Sequence, residues 1–252
     1  MKTDWKYRCF TWLNRKFGYE IWNYKSGFPP DFDPTVIDTI LAVASFTTTS
    51  RERLFALCKA VEYVVQNEIP GDIVECGVWR GGSMMAVAHT LLRLQDTSRH
   101  LYLFDTFAGM PEPGEKDISF RDEEAAITWR KLARGDINKW CYAPFGEVGK
   151  NMNSVGYDSG KIHLVKGKVE ETIPAEAPRT ISLLRLDTDW YATYRHELTH
   201  LFPRVSHGGV LIVDDYGHWK GARQATDEYV KEHKIKLLLN RIDYTARIGV
   251  KI

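Results

Sequence analysis

From residue 72 onward, short apolar runs alternate with longer stretches whose apolar positions recur every three or four residues. The runs DIVECG (72–77), LYLFD (101–105), KIHLVKG (161–167), ISLLRLD (181–187) and GVLIVDD (209–215) have strand length and end in turn-forming residues. Between them, SMMAVAHTLLRL (83–94), ATYRHELTHLFPRV (192–205) and GARQATDEYVKEH (221–233) carry helical spacing. Two closing runs, KLLLNRID and TARIGVKI, are joined by too few residues for a crossover and predict an antiparallel pair. Before the first strand, Leu54, Leu57, Val61 and Val64 form a helical stripe that starts at Thr49 or Ser50 as N-cap and stops at Pro70-Gly71. Strands alternating with helices predict an α/β fold with a doubly wound, mainly parallel sheet.

Two segments fall outside that rhythm. Residues 1–40 mix basic and aromatic side chains and read as an N-terminal extension. It is expected to pack on the domain of residues 41–252 or on another subunit, which favours a homo-oligomer. Residues 107–150 exceed a simple crossover and carry Pro111, Pro113, Trp129 and Trp140. A loop that long inside a compact domain is expected to be a lid or a wall of the acceptor site.

The strand ends carry the candidate chemistry, because ligands of an open α/β sheet bind beyond the carboxyl ends of its strands. ECGVWRGGS (75–83) follows the first strand. Its glycines let backbone approach a ligand, and the next helix offers free N–H groups to an anion. The spacing is not GxGxxG, which counts against a dinucleotide. A tight strand–helix turn without a ligand would read the same way. Asp105 ends the second strand, where an acid can accept both ribose hydroxyls or cap a turn.

The fourth and fifth strands end in Asp187-Thr188-Asp189 and Asp214-Asp215. One helix fits between Asp187 and Asp214, so a right-handed crossover would make these strands neighbours, about 4.8 Å apart. Several carboxylates crowded at one sheet edge either share protons or hold a cation. An all-oxygen donor set suits Mg²⁺ or another hard divalent ion. Separate turn aspartates, each capping its own loop, are the competing reading.

Composition narrows the function classes. The formal net charge of +1 gives no global field for nucleic acid. No apolar run approaches the roughly 20 residues that span a bilayer, and the start of the chain shows no signal-peptide core. Cys9, Cys58, Cys76 and Cys141 form no CxxC pair, so a reduced, cytoplasmic setting is expected. HELTH (196–200) fits the zincin pattern HExxH, yet it falls inside a crossover helix and lacks the further metzincin ligand, with Ser206 where histidine would stand. It is expected to be a surface His/Glu/His face, with Leu198, Leu201 and Phe202 toward the sheet. His163, within a strand, is expected to be a packing residue.

TTTSRERLFALCKAVEYVV, IPGDIVECGVWRGGS, LYLFDTFAGMPEP, VKGKVEETIP, LLRLDTDWY and GGVLIVDDYGHWKGARQATDEY run in order along the chain. Taken together they resemble the macrocin O-methyltransferase family, whose members methylate sugar hydroxyls on macrolides and aminocoumarins. The resemblance implies a Rossmann-like class I methyltransferase domain with an antiparallel last strand, S-adenosylmethionine (SAM) as methyl donor, and a divalent metal. It also implies that Glu75, Gly77, Trp79, Gly81, Gly82 and Ser83 surround the methionine part of SAM, and that Asp105 holds the ribose. Asp187, Asp214 and Asp215 would bind Mg²⁺, with Asp187 also taking the proton from the acceptor hydroxyl. Asp189 would share the metal role or lie just behind it. The partner would be a small-molecule or glycan acceptor with adjacent hydroxyls. Thr188 stands where many members have glycine, and WYATY (190–194) replaces the commoner YEST; neither change removes an expected ligand. Two other classes compete: an NAD(P)-dependent oxidoreductase, and a SAM-binding protein without catalysis.

Overall fold

The computed structural model describes residues 27–252. Most of the expected extension, residues 1–26, lies outside the described residues. Its last part forms α1 (Pro34–Val43), which Asp33 caps by accepting from Val36 N at 3.0 Å. Val36, Ile40 and Val43 on α1 are buried in the same core as the helices that follow. Helix α2 (Arg51–Gln66) starts at Ser50, whose hydroxyl accepts from Arg53 N at 3.2 Å. The remaining order is β1 (Asp72–Cys76), α3 (Gly82–Arg93), β2 (Leu101–Asp105), α4 (Ala125–Leu132), the small hairpin β3 (Ala133–Arg134) and β4 (Ile137–Asn138), then α5 (Phe145–Ser154) and β5 (Ile162–Lys166). It closes with α6 (Val169–Thr172), β6 (Ile181–Leu186), α7 (Tyr191–Leu201), β7 (Val205–Val213), α8 (Lys220–Glu232), β8 (Asn240–Arg241) and β9 (Arg247–Val250).

The main sheet runs β5-β2-β1-β6-β7-β9-β8. The first five strands are parallel, and β9 enters antiparallel beside β7. Side-chain alternation divides each central strand between two cores. Ile73, Leu103, Leu183 and Ile212 meet α1, α2 and α3 on one face. Val74, Phe104, Leu184 and Leu211 meet α7 and α8 on the other.

Several boundaries differ from the sequence expectation; of KLLLNRID (236–243) only Asn240–Arg241 is strand. Helix α7 stops at Leu201, and Phe202–Arg204 form a 3₁₀ turn, because Pro203 has no N–H to continue the helix. Strand β7 starts at Val205 rather than Gly209, with a register shift against β6 between Ile181 and Leu183. The 107–150 segment is tied to its own helix and to the start of α7 by indole hydrogen bonds. Trp129 Nε1 donates to Met110 O at 2.8 Å, and Trp190 Nε1 donates to Pro111 O at 3.0 Å. Trp140, Trp190 and Trp219 then meet with ring centroids 5.1–6.0 Å apart. No helix among the described residues is long and apolar enough to cross a membrane.

Candidate active site

Register lines the site up. Phe104, Cys76, Leu186 and Val213 are Cα partners across β2, β1, β6 and β7. The residues that follow, Asp105, Gly77, Asp187 and Asp214, therefore form a row along the carboxyl edge of the sheet. The row is continued by backbone bonds: Gly77 N to Phe104 O at 2.8 Å, Asp187 N to Cys76 O at 2.9 Å, and Asp214 N to Leu186 O at 2.9 Å. Above it lies a cavity of about 260 Å³ lined by Gly77, Trp79, Asp105, Asp187, Asp214 and Asp215, among others.

The β1–β2 half is organised by Asp105. Its Oδ2 accepts from Val78 N at 2.8 Å and Trp79 N at 3.1 Å, and its Oδ1 from Phe107 N at 2.7 Å. One carboxylate thus ties two turns together, while burial pushes its pKa up against those bonds. Gly77 has φ +80°, and a Cβ there would lie 2.0 Å from the carbonyl oxygen of Asp187. Gly77→Ala is expected to lower stability by at least about 2 kcal/mol in denaturant titrations and to weaken SAM binding, since the strand ends can separate only by moving the site.

The other residues expected around the methionine part sit differently. Glu75, Gly81, Gly82 and Ser83 do not line the cavity. Gly82 serves helix packing, because a Cβ there would meet the Phe46 carbonyl at 2.6 Å. Ser83 Oγ lies 3.5 Å from Thr49 Oγ1, and Thr49 does line the cavity. Glu75 points beneath the site and pairs with Arg185. Burial pushes its carboxyl up to about 7 despite that pair, and its Oε2 has no hydrogen-bond partner.

The β6–β7 half gathers the acids. One oxygen from each of Asp187, Asp214 and Asp215 lies within 4.8 Å of the others. Asp214 and Asp215 are buried. Burial holds Asp187 well above the usual carboxylate range; Arg185 opposes this, while Asp214 and Asp215 add to it. Burial does the same to Asp215, with Asp189 and Asp214 reinforcing it. Asp189 lines the same cavity and is pushed up to about 8 by burial and then by Asp187. Its backbone is left-handed, φ +67°, and its Oδ1 accepts from Trp219 Nε1 at 2.6 Å. Tyr194 lies beneath, its hydroxyl 2.7 Å from Leu186 O and 2.9 Å from Asp215 Oδ2.

Two arginines not singled out from the sequence complete the site. Arg185 is buried and reaches carboxylates on three strands: Glu75, Asp187 at 2.8 Å and Asp214 at 2.7 Å. Arg53 on α2 pairs with Asp214 and holds Asp243 at 3.0 Å. A charged residue inside the apolar run LLRLD was the available signal for Arg185; Arg53 had none. These cations leave the acids in excess, so the donor set suits a hard divalent ion.

The HExxH match is not the surface face expected of it. Glu197 is fully buried, and Thr188 Oγ1 donates to its Oε2 at 3.1 Å. Residues 194, 197, 198 and 201 form a single inward stripe, which helical spacing imposes whatever the residue type. His196 Nε2 lies 2.9 Å from Ile173 O. Leu198, Leu201 and Phe202 do face the core. His163 packs against Tyr102 and His100, with ring centroids 4.4 and 5.0 Å away.

The profile of the macrocin-O-methyltransferase (TylF) family matches residues 37–248. The chain belongs to the macrocin O-methyltransferase family. Like other members it is a SAM-dependent O-methyltransferase, which removes the oxidoreductase and non-catalytic readings. It is 32% identical over 217 residues to 8-demethyl-8-(2,3-dimethoxy-alpha-L-rhamnosyl)-tetracenomycin-C 4'-O-methyltransferase of Streptomyces olivaceus, covering 86% of this chain and 80% of the relative. It is 33% identical over 193 residues to demethyldecarbamoylnovobiocin O-methyltransferase of Streptomyces niveus, covering 76% and 70%. The solved O-methyltransferase NovP superposes with a TM-score of 0.71 at 32% identity, covering 82% of each chain. The class I methyltransferase fold of this family accounts for the strand order and the antiparallel β9.

Proposed function

We propose that this O-methyltransferase methylates one of two adjacent hydroxyls on the sugar of a glycoside, using Mg²⁺ held by Asp187, Asp214 and Asp215. The observation that carries the reading is the approach of those three carboxylates within 4.8 Å at one sheet edge. SAM supplies a methyl group on a sulfonium, whose departure as a neutral thioether needs no acid. A divalent cation supplies Lewis acidity that eases deprotonation of a neighbouring hydroxyl. Gly77, Trp79 and Asp105, which line the cavity, would hold SAM at the β1–β2 turns. Glu75, Gly81, Gly82 and Ser83 would act from outside the cavity lining.

The chain's residues then have two tasks. They hold the acceptor oxygen in line with the S–CH₃ bond, and they accept the hydroxyl proton as the new C–O bond forms. The family resemblance implies Asp187 for the proton. Placement favours Asp189, which lines the same cavity outside the three-carboxylate set, anchored by Trp219. The relatives' names support a sugar acceptor.

The mouth of the site supports an apolar group beside that sugar. Phe120 and Tyr244 are 48% and 52% exposed, and with His218 they form a three-ring cluster with centroids 5.4–6.1 Å apart. The test is a methylation screen with SAM, Mg²⁺ and aryl glycosides bearing adjacent hydroxyls, repeated with EDTA and with deoxy analogues. Turnover that survives EDTA, or that ignores loss of the neighbouring hydroxyl, overturns the reading. Phe120→Ala and Tyr244→Ala are each expected to raise KM for an aryl glycoside roughly three- to tenfold and leave the methyl glycoside unaffected.

A further inference from the structure

The turn that carries Asp187 and Asp189 rests on a buried carboxyl. Glu197 lies on the inward stripe of α7 and is fully buried. Its Oε2 accepts from the hydroxyl of Thr188, the residue between the two aspartates, at 3.1 Å. Its Oε1 is buried and has no hydrogen-bond partner.

Stability alone does not account for Glu197. An idle buried oxygen costs roughly 1–3 kcal/mol, and a leucine would fill an apolar stripe without that cost. What the carboxyl adds is a fixed attachment for the acid turn, and that turn needs holding. Asp189 sits at φ +67°, a conformation that a non-glycine residue keeps only when its surroundings impose it. A Cβ added at Gly77 would meet the Thr188 methyl at 3.3 Å, so the same residue lies over the neighbouring strand end.

We propose that Glu197 and Thr188 form a strut that sets the position of the Asp187–Asp189 turn, and with it the alignment of Asp187 toward Asp214 and Asp215. The proposal rests on reading those three carboxylates as a cation site. Both are positioning residues: neither lies within the carboxylate set. Groups that orient metal ligands from behind govern affinity even though they never touch the ion.

The test is calorimetric titration of Mn²⁺ into the full-length protein, with S-adenosylhomocysteine affinity and thermal melting measured on the same samples. Thr188→Val and Glu197→Leu are expected to bind Mn²⁺ about tenfold more weakly than the unaltered protein. Thr188→Ser and Glu197→Gln keep the hydrogen bond and are expected to stay within about twofold. Affinity for S-adenosylhomocysteine is unchanged in all four, and Glu197→Leu melts at or above the unaltered protein. Unchanged Mn²⁺ affinity in Thr188→Val and Glu197→Leu overturns the strut. So does a melting temperature of Glu197→Leu that falls together with its affinity, which is the signature of a packing role. Asp214→Asn separates the two levels of the claim: if the unaltered protein binds Mn²⁺ no better than this variant, the cation reading itself has failed.

Discussion

Asp214→Asn lowers turnover at least about 100-fold and removes the response to Mg²⁺, while S-adenosylhomocysteine still binds. The size follows from position. Asp214 is buried, and its two oxygens face Arg185 and Arg53 as well as the Asp187 and Asp215 carboxylates. The amide keeps the shape but removes one of three negative charges from the set, and an NH₂ then points at a guanidinium or at the ion. Methyl transfer measured against Mg²⁺ concentration, with calorimetry for the thioether product, checks this. An Asp214→Asn variant that keeps the unaltered protein's turnover and its response to Mg²⁺ sinks the cation assignment. Asp189→Asn is the companion variant: turnover falls with Mg²⁺ affinity retained if Asp189 takes the proton. Retained turnover returns that role to Asp187.

The sheet and the row of residues at its edge were legible because both follow from periodicity. Buried parallel strands read as apolar runs, and three of the runs here end in the acids of that row, so Asp105, Asp187 and Asp214 could be placed at one sheet edge from the sequence. The parts that escaped depend on which segments meet. Arg53 and Asp243 come together only because β9 inserts beside β7, which brings a late loop over the start of α2. The turn glycines were legible as close approaches, but not the object approached: Gly77 faces the Asp187 carbonyl, and Gly82 the Phe46 carbonyl. Glu197 was misread by residue type, although its spacing from Tyr194, Leu198 and Leu201 marked the inward side of α7.

Arg185→Met has the largest expected effect on stability, about 3–5 kcal/mol, as for removing one partner from a buried ionic cluster. The melting temperature should drop by roughly 6–20 °C for a domain of this size. Glu75 and Arg185 are Cα partners on β1 and β6, so the ion pair forms directly across the sheet, beneath the site. The same guanidinium reaches Asp187 and Asp214. Methionine fills the volume but leaves three carboxylates without their shared cation, and burial already pushes Glu75 up to about 7 with that cation present. Arg185→Lys should fall between, since a single ammonium cannot match a planar fork spread over three strands. Pairing Arg185→Met with Glu75→Leu should recover part of the loss, because the worst-solvated of the three charges then disappears with its partner. Adding Mg²⁺ should raise the melting temperature of Arg185→Met, since a ligand that binds only the folded state stabilises it. A variant that melts with the unaltered protein would mean the acids neutralise one another by sharing protons, and that Arg185 is not the charge on which this sheet edge depends.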